Sequence, residues 1–463
     1  MTRRQQAALF VLCLAVFTVA IDGTVISVAV PAISEQLNPT YNQVLWIGDI
    51  YSFVLAGLLV TMGNLGDRWG QRRLLLVSAA AFGLVSAAAA LAPTAGLLIA
   101  TRAVQGVAGA GLMPPTLALL RTVFTDDRMR TRAVGIWSAS GAAGGAMGPT
   151  LAGVLLEHFY WGAVLLVNIP VVALIVGLGM WVLPEGSGRS YHALDLVLVI
   201  YSTASILGIV YGITELAHSG LGCLPGYFAL VVGGALLVVF LRRQRRLTVP
   251  LLDIGLFSEP KFRAAVLAQL MLVFAIIGAL FFVPIYLRQV AGFSSLQAGL
   301  ALLPDAVASM IAAPNAGRLI RRFGHRWVLL VGLGIGAIGL LSLGLTIGIS
   351  YWAIVIPLIL LGCSFALVNT GANDLVLTSA SADRVGAATG IVETAFELGN
   401  ALGIALIGSV LSVLYLIATG ALADLTSAVD PGGFTVAISG AAVIAASVMA
   451  VTTLAVWRSL RSV

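Results

Sequence analysis

Charged residues are scarce in this chain of 463 residues, since Asp, Glu, Lys and Arg make up 10% of it while apolar residues make up 60%. So little polar surface cannot cover a water-soluble globule, which excludes that class of protein. A helix needs about 20 mainly apolar residues to cross the roughly 30 Å hydrocarbon layer of a bilayer. Stretches of this kind fill the chain almost from end to end, and they predict an all-α membrane protein.

Cysteine and histidine are also rare. The three cysteines, Cys13, Cys223 and Cys363, are scattered and form no Cys-x-x-Cys motif, so neither a disulfide framework nor a zinc site is indicated. The four histidines fall at predicted loops or helix ends, which argues against an enzyme with a buried nucleophile or metal cluster. A Gly-x4-Gly-Lys-Ser/Thr phosphate loop is absent as well, so ATP is not the expected energy source. We therefore expect neither enzyme activity nor a metal or organic cofactor.

Fourteen apolar spans can be placed along the chain. They cover residues 8–30, 43–62, 74–92, 97–121, 133–156, 162–183, 194–215, 226–241, 263–288, 297–316, 327–347, 351–378, 385–417 and 435–457. The twelfth and thirteenth spans are long enough to extend beyond the membrane. The first span is too long for a secretory signal and contains Asp22, so we expect it to be retained.

Arginine is distributed unevenly between the connections of these spans. Among Lys and Arg residues, the connections that follow odd-numbered spans contain only Arg288. Those that follow even-numbered spans carry basic clusters such as Arg128, Arg130 and Arg132. Loops rich in Lys and Arg stay in the cytoplasm during insertion. We therefore expect a multi-pass protein of the cytoplasmic membrane with both termini in the cytoplasm. Topology and contacts with anionic lipids account for the net charge of +6, and no nucleic-acid partner is expected.

A ten-residue pattern occurs twice in the chain. Gly63-Asn-Leu-Gly-Asp67-Arg68-Trp-Gly70-Gln-Arg72 follows the second span, and Gly317-Arg-Leu-Ile-Arg321-Arg322-Phe-Gly324-His-Arg326 follows the tenth. The repeat predicts an N-terminal six-helix bundle over residues 1–183 and a C-terminal six-helix bundle over residues 247–463, with two inserted helices over residues 184–246. The glycines let the loop turn tightly and Asp67 can cap a helix, whereas the second copy has Arg321 at that position.

The repeated loop resembles the signature of the major facilitator superfamily, Gly-x-Leu-x-Asp-Arg-x-Gly-x-Arg, which follows helix 2 in that family. Arg102 followed by Gln105-Gly106 is similar to the superfamily's intramembrane arginine motif. Gly135-x8-Gly144-x3-Gly148-Pro149-x2-Ala152-Gly153 in the fifth span resembles the antiporter motif of drug exporters, with Ala152 where glycine is usual. With the fourteen spans and Asp22-Gly-Thr24-Val25, these motifs resemble the fourteen-helix drug:H+ antiporter branch, the quaternary-ammonium and multidrug exporters.

The resemblance implies a major facilitator fold and proton-coupled antiport by alternating access, in which hydrophobic, often cationic, drugs or toxic compounds leave in exchange for protons. Protons are then the coupling ion, small-molecule substrates and membrane lipids are the expected partners, and a monomer is expected to suffice. A dedicated exporter of one metabolite, such as an antibiotic, lipid or siderophore, and a proton-coupled importer remain alternatives. The residues assigned to a conformational switch are Gly63, Asp67, Arg68, Gly70, Gly144, Gly148 and Pro149.

Ionisable residues inside the predicted spans are costly and need a partner, a wet cavity or a function. The candidates for proton coupling and substrate binding are Asp22, Asp49, Arg102, Asp305, Glu393 and Glu397. Glu393 and Glu397 share a helix face, so joint ionisation is disfavoured and one of them is expected to hold a proton near neutral pH, unless both face cytoplasmic water. Asp305 follows Pro304, where a break in the helix would expose backbone carbonyls.

Arg102 cannot lose its charge and must pair with a carboxylate or with carbonyls. The resemblance favours a proton relay, and a static ion pair between the first and fourth spans remains the alternative. For Asp22 the alternative is a hydrogen bond to Thr24 or to a neighbouring helix. Asp374 lies nearer the predicted cytoplasmic end of its span and is expected to be hydrated.

Overall fold

The computed structural model describes residues 1–185, 196–219, 223–244, 254–380, 385–420 and 430–460. Within these ranges every regular element is helical, which confirms the all-α prediction. Large apolar side chains also lie on the outer surface, such as Trp181 at 83% exposure and Ile417 at 75%. Exposed apolar faces of this kind fit helices whose solvent is lipid rather than water.

The helix bounds follow the apolar spans closely. The helices of residues 1–185 are α1 (Arg3–Leu37), α2 (Tyr41–Trp69), α3 (Gln71–Ala90), α4 (Ala95–Ala110), α5 (Met113–Val123), α6 (Asp127–His158), α7 (Ala163–Leu166) and α8 (Asn168–Val182). The later described residues form α9 (Leu196–Ser219), α10 (Leu224–Gln244), α11 (Pro260–Leu280), α12 (Val283–Gln289), α13 (Ser295–Leu300), α14 (Leu303–Thr346), α15 (Tyr351–Ser379), α16 (Val385–Thr419) and α17 (Pro431–Ser459). A short 3₁₀ helix, Ile254–Ser258, precedes α11.

Every predicted span coincides with one helix or with two consecutive helices, except that the tenth span covers α13 and the beginning of α14 and the eleventh covers the later part of α14. By length and apolar composition, 11 helical segments among the described residues are able to cross a membrane. One of these segments, Gln297–Thr346, contains two predicted spans, and α6 and α9 are not among the 11. The presence of helices at all fourteen positions is thus observed, whereas fourteen membrane crossings stay a prediction.

The repeated ten-residue pattern is helical rather than an open loop, which corrects the sequence prediction. α2 continues through Asp67 to Trp69, and α3 begins at Gln71 after a single break at Gly70, whose φ is 93°. α14 likewise runs through the second copy with a break at Gly324, whose φ is 81°. The polar residues of the pattern do not stop the helix, and within the two copies Gly70 and Gly324 adopt the positive φ that other residues rarely tolerate.

The described residues cluster into two compact units. The first consists of Met1–Gly208, Val232–Leu256 and Val376–Thr394, and the second of Ile209–Val231, Phe257–Leu375 and Ala395–Val463. The beginning of α16 therefore belongs to the first unit and the rest of that helix to the second. The domain boundaries at residues 183 and 246 stay a prediction.

Within the first unit, small residues of α6 allow that helix to pack closely against α1. A Cβ added at Gly144 would lie 2.7 Å from the Phe17 carbonyl oxygen, and one added at Gly148 would overlap the Thr24 hydroxyl. Ala152, one turn further on, is fully buried, and Pro149 lies inside the helix. The fifth-span motif thus shapes a contact with α1, and its expected part in the conformational switch stays a prediction.

The α1–α6 contact yields a matched pair of variants. Gly144→Ala is expected to lower the free energy of unfolding by about 1–3 kcal/mol, because its methyl group meets the main chain of Phe17. At Gly145 an added Cβ meets nothing within 4 Å, so Gly145→Ala is expected to be neutral or slightly stabilising. Thermal unfolding of both purified variants measures the difference, and equal behaviour would contradict the close packing.

Candidate functional site

The most deeply buried charges of the first unit form an ion pair. Asp22 on α1 and Arg102 on α4 are both 0% exposed, and Arg102 Nη1 donates to Asp22 Oδ2 at 2.5 Å. Asp22 Oδ1 accepts two further bonds, from Gln105 Nε2 at 2.8 Å and from Asn168 Nδ2 at 2.8 Å. A carboxylate buried away from water needs this many donors to remain charged.

The network continues beyond the ion pair. Gln105 Nε2 donates to Ser86 Oγ on α3 at 2.8 Å, and Gln105 Oε1 accepts from Arg102 Nη1 at 3.0 Å. The Arg102 guanidinium also lies 4.5 Å from the ring centroid of Tyr51 on α2, within the range of a cation–π interaction. Five helices, α1, α2, α3, α4 and α8, therefore contribute to one polar cluster.

Two members of this cluster, Ser86 and Asn168, were not predicted from the sequence. Asn168 is 2% exposed and stands at the start of α8 inside an otherwise apolar span, which is the signal that would have found it. Thr24, the expected intrahelical partner of Asp22, instead donates its hydroxyl to the Ile21 carbonyl at 3.0 Å. Asp22 therefore bonds to neighbouring helices, the other partner that the sequence left open.

The remaining candidate carboxylates lie outside this cluster. Asp49 is half-buried on α2, and Asp305 is half-buried near the start of α14. Asp305 Oδ1 is a buried oxygen with no hydrogen-bond partner among the described residues. The α14 main chain at Asp305 approaches α15 so closely that a Cβ at Gly362 would overlap the Asp305 carbonyl.

Glu393 and Glu397 lie on α16, as the sequence predicted. Glu393 is 4% exposed and Glu397 is half-buried, with a hydrogen bond between the side chains of Glu397 and Asn400. The boundary between the two units falls between these glutamates, after Thr394. Their part in proton coupling stays a prediction.

Asp67 caps a helix that is remote in sequence. Its Oδ1 accepts from the Gly386 amide and its Oδ2 from the Ala387 amide, each at 3.0 Å, and Gln71 Nε2 donates to Oδ1 at 2.7 Å. Both amides belong to the first turn of α16, which carries unsatisfied donors and the positive end of the helix dipole. Gly63 permits the approach, since an added Cβ would overlap the Gly386 carbonyl.

Arg121 binds the end of α15, the helix that precedes α16 in the chain. Its Nη1 donates to the carbonyl oxygen of Ala380, one residue past the end of α15, at 2.6 Å. A cation at a helix C-terminus and an anion at a helix N-terminus both complement the helix dipole. Within the first unit, Arg121 therefore forms a hydrogen bond with the end of α15 and Asp67 forms hydrogen bonds with the beginning of α16. Arg68, the remaining switch candidate, is half-buried at the end of α2.

Asp374 corrects one expectation from the sequence. It is 1% exposed rather than hydrated, and its Oδ2 lies 2.9 Å from His325 Nε2. His325 directly follows Gly324, the positive-φ residue of the second repeat. The sequence concealed this pairing because the two residues come from different helical segments. Among the described residues, no group of three or more His, Cys, Asp or Glu side chains is arranged to hold a metal ion.

The buried ion pair allows a test of its energetics. Asp22→Asn leaves the Arg102 charge without a carboxylate, and breaking a buried pair is expected to lower the free energy of unfolding by about 3–5 kcal/mol. The double variant Asp22→Asn/Arg102→Gln removes both charges and is expected to recover part of this loss. Thermal unfolding in one detergent measures both, with exposed Glu157→Gln as the control. An unchanged midpoint in Asp22→Asn would show that the pair is not structurally required.

The Asp67 cap is tested by hydrogen exchange. Asp67→Asn keeps the shape of the side chain but removes the charge at the α16 N-terminus. Exchange in a peptide over residues 385–392 is expected to accelerate about fivefold, for a loss of about 1 kcal/mol. Asp126→Asn is the matched control, because Asp126 caps α6 through the Met129 amide at 2.9 Å and should affect that helix alone. Unchanged exchange over residues 385–392 in Asp67→Asn would refute the cap.

Comparisons with known proteins agree with this fold over nearly the whole chain. The multidrug efflux pump LfrA of Mycolicibacterium smegmatis is 41% identical over 452 residues, which span 97% of this chain and 89% of that protein. The methyl viologen resistance protein SmvA of Salmonella typhimurium is 37% identical over 410 residues, spanning 88% and 83%. The tetracenomycin C resistance and export protein of Streptomyces glaucescens is 32% identical over 407 residues, spanning 88% and 76%.

A solved structure shows the same fold at low sequence identity. The crystal structure of the human organic anion transporter MFSD10 (TETRAN) aligns with a TM-score of 0.70 at 16% identity and covers 97% of this chain and 100% of that one. The family model described as Major Facilitator Superfamily matches residues 12–404. The chain therefore belongs to the Major Facilitator Superfamily, a family of multi-pass membrane transporters.

Proposed function

We propose that the chain is a proton-coupled antiporter that exports hydrophobic, often cationic, small molecules by alternating access. The observation that carries this proposal is the similarity, at 41% and 37% identity along most of the chain, to a multidrug efflux pump and a methyl viologen resistance protein. The location is the cytoplasmic membrane with both termini in the cytoplasm, as the arginine-rich connections suggest. Fourteen crossings and a monomeric working state belong to the same proposal.

The buried carboxylates support proton coupling. Asp22 is already neutralised by Arg102, so its proton uptake requires that the ion pair separate during the cycle. Asp305 and Glu397 form no ion pair among the described residues, and a carboxyl group in that setting exchanges a proton without breaking a salt bridge. Protons and cationic substrate then compete for the same negative charges.

The stoichiometry decides which gradient drives export. Exchange of one proton for one monovalent cation moves no net charge, so only the pH gradient contributes, at about 1.4 kcal/mol per pH unit. Exchange of two protons adds the membrane potential, at roughly 2.3 kcal/mol per 100 mV. Several carboxylates within the helices make the two-proton exchange chemically feasible.

Purified protein in proteoliposomes tests the proposal. A pH gradient with an acidic lumen is expected to drive accumulation of fluorescent lipophilic cations, and a protonophore is expected to abolish it. Asp305→Asn and Glu397→Gln are expected to reduce this uptake to near background, because each removes a group able to exchange a proton. Glu157 is an exposed carboxylate of α6, so Glu157→Gln is the matched control and is expected to transport normally.

Two outcomes would contradict the proposed coupling. Cation uptake that is the same with and without the pH gradient would exclude proton antiport. Normal gradient-driven uptake after amide substitution at Asp22, Asp305, Glu393 and Glu397 together would show that these carboxylates do not carry the proton. Transport of one compound only from a broad panel would favour a dedicated exporter, which the similarity to the tetracenomycin C export protein keeps as the second candidate.

A further inference from the structure

The second unit contains a buried cluster of side-chain amides that the proposed proton chemistry does not use. Gln269 on α11 is 1% exposed, and Asn369 and Asn373 on α15 are 6% and 1% exposed. Gln269 Nε2 donates to Asn369 Oδ1 at 2.8 Å. Asn373 Nδ2 donates to the same Oδ1 and to the Asn369 main-chain oxygen, both at 3.0 Å.

These bonds leave a surplus of acceptors. Gln269 Oε1 and Asn373 Oδ1 are buried and have no hydrogen-bond partner among the described residues. The Asn369 main-chain oxygen can only accept, so the Asn373 atom beside it must be Nδ2. The same Nδ2 faces the Asn369 side chain, which must therefore present its oxygen, and Gln269 must in turn present Nε2 to that oxygen. The cluster therefore presents two carbonyl oxygens that only an added donor can satisfy.

Neither oxygen has a donor within hydrogen-bond distance in the part of the chain that the structure describes. Gln269 lies between Ala268 and Leu272, both fully buried, so this part of α11 is otherwise apolar. A buried acceptor without a partner costs free energy, and a polar group inside a membrane bundle that cannot satisfy itself indicates a ligand.

We propose that Gln269, Asn369 and Asn373 recognise the N–H groups of cationic substrates, with Gln269 Oε1 and Asn373 Oδ1 as the accepting atoms. A primary or secondary ammonium, an amidinium or a guanidinium donates charge-assisted hydrogen bonds to such oxygens. A fully alkylated cation has no N–H group and therefore forms no such hydrogen bond with these two oxygens. The amide cluster is itself uncharged, so it selects among cations by their donors rather than by their charge. This inference rests on the proposed export of cations.

Equilibrium binding to the full-length protein in lipid nanodiscs provides the test. The probes are a naphthylguanidinium cation with its N–H groups intact and the same cation with every guanidinium hydrogen replaced by methyl. The wild-type protein is expected to bind the N–H form at least about tenfold more tightly. Gln269→Met and Asn373→Leu are each expected to reduce this preference about tenfold, which corresponds to about 1.4 kcal/mol.

A control variant and a measurement of stability separate recognition from a structural role. Asn315→Leu is the matched control in the same unit, because Asn315 is satisfied by donation to Ile311 O at 2.8 Å and by Arg318 Nη1 at 2.6 Å. Thermal unfolding identifies any variant that does not fold.

The inference is overturned if the wild-type protein shows no preference, or if Gln269→Met and Asn373→Leu weaken both cations equally. The second result would assign the cluster to the packing of α11 against α15. The binding assay uses no pH gradient and is therefore independent of proton coupling. A protein that keeps the binding preference but shows no gradient-driven uptake would contradict the proposed function while leaving this inference intact.

Discussion

The ion pair between Asp22 and Arg102 is the interaction on which the first unit depends. Arginine stays charged at any physiological pH, so its presence at 0% exposure fixes a carboxylate beside it. Gln105 and Asn168 complete the coordination of that carboxylate and join α4 and α8 to α1. The same turn of α1 meets α6 on another face, where Gly148 lies against Thr24. α1 is therefore held by charge on one side and by close main-chain packing on another.

The two units treat buried polarity differently. In the first unit Asp22 is compensated by an arginine and two neutral side chains, although Arg102 Nε and Nη2 are themselves buried without a hydrogen-bond partner among the described residues. In the second unit, Asp305 Oδ1, Gln269 Oε1 and Asn373 Oδ1 are acceptors without partners among the described residues. A compensated cluster stabilises one arrangement of helices, whereas uncompensated acceptors favour the binding of protons or donors.

Much of the fold was accessible from the sequence because hydrocarbon imposes a simple rule on composition. Asp22 and Arg102 were identifiable because charges are rare inside apolar spans, and their need for partners follows directly. Asn168, Gln269 and Asn373 escaped notice because neutral amides occur in many membrane helices without a special role. Their importance depends on which helix faces meet, and that is decided by packing between segments remote in sequence.

The two copies of the ten-residue pattern share their backbone geometry but differ in their electrostatic contacts. Gly70 and Gly324 both adopt positive φ, so the helix break is the same in both halves. The electrostatics differ: Gln71 donates to Asp67, which caps α16, whereas the equivalent His325 bonds to Asp374 on α15.

The first repeat therefore contacts the beginning of α16, the helix that also carries Glu393 and Glu397. A helix is stiff over two or three turns, so a displacement that breaks the Asp67 cap also moves Glu393. A change of charge at Glu393 acts on the same rigid segment in return. The Asp67 contact and the Glu393 side chain therefore lie on one continuous helical segment, with no chain of intermediate side chains between them.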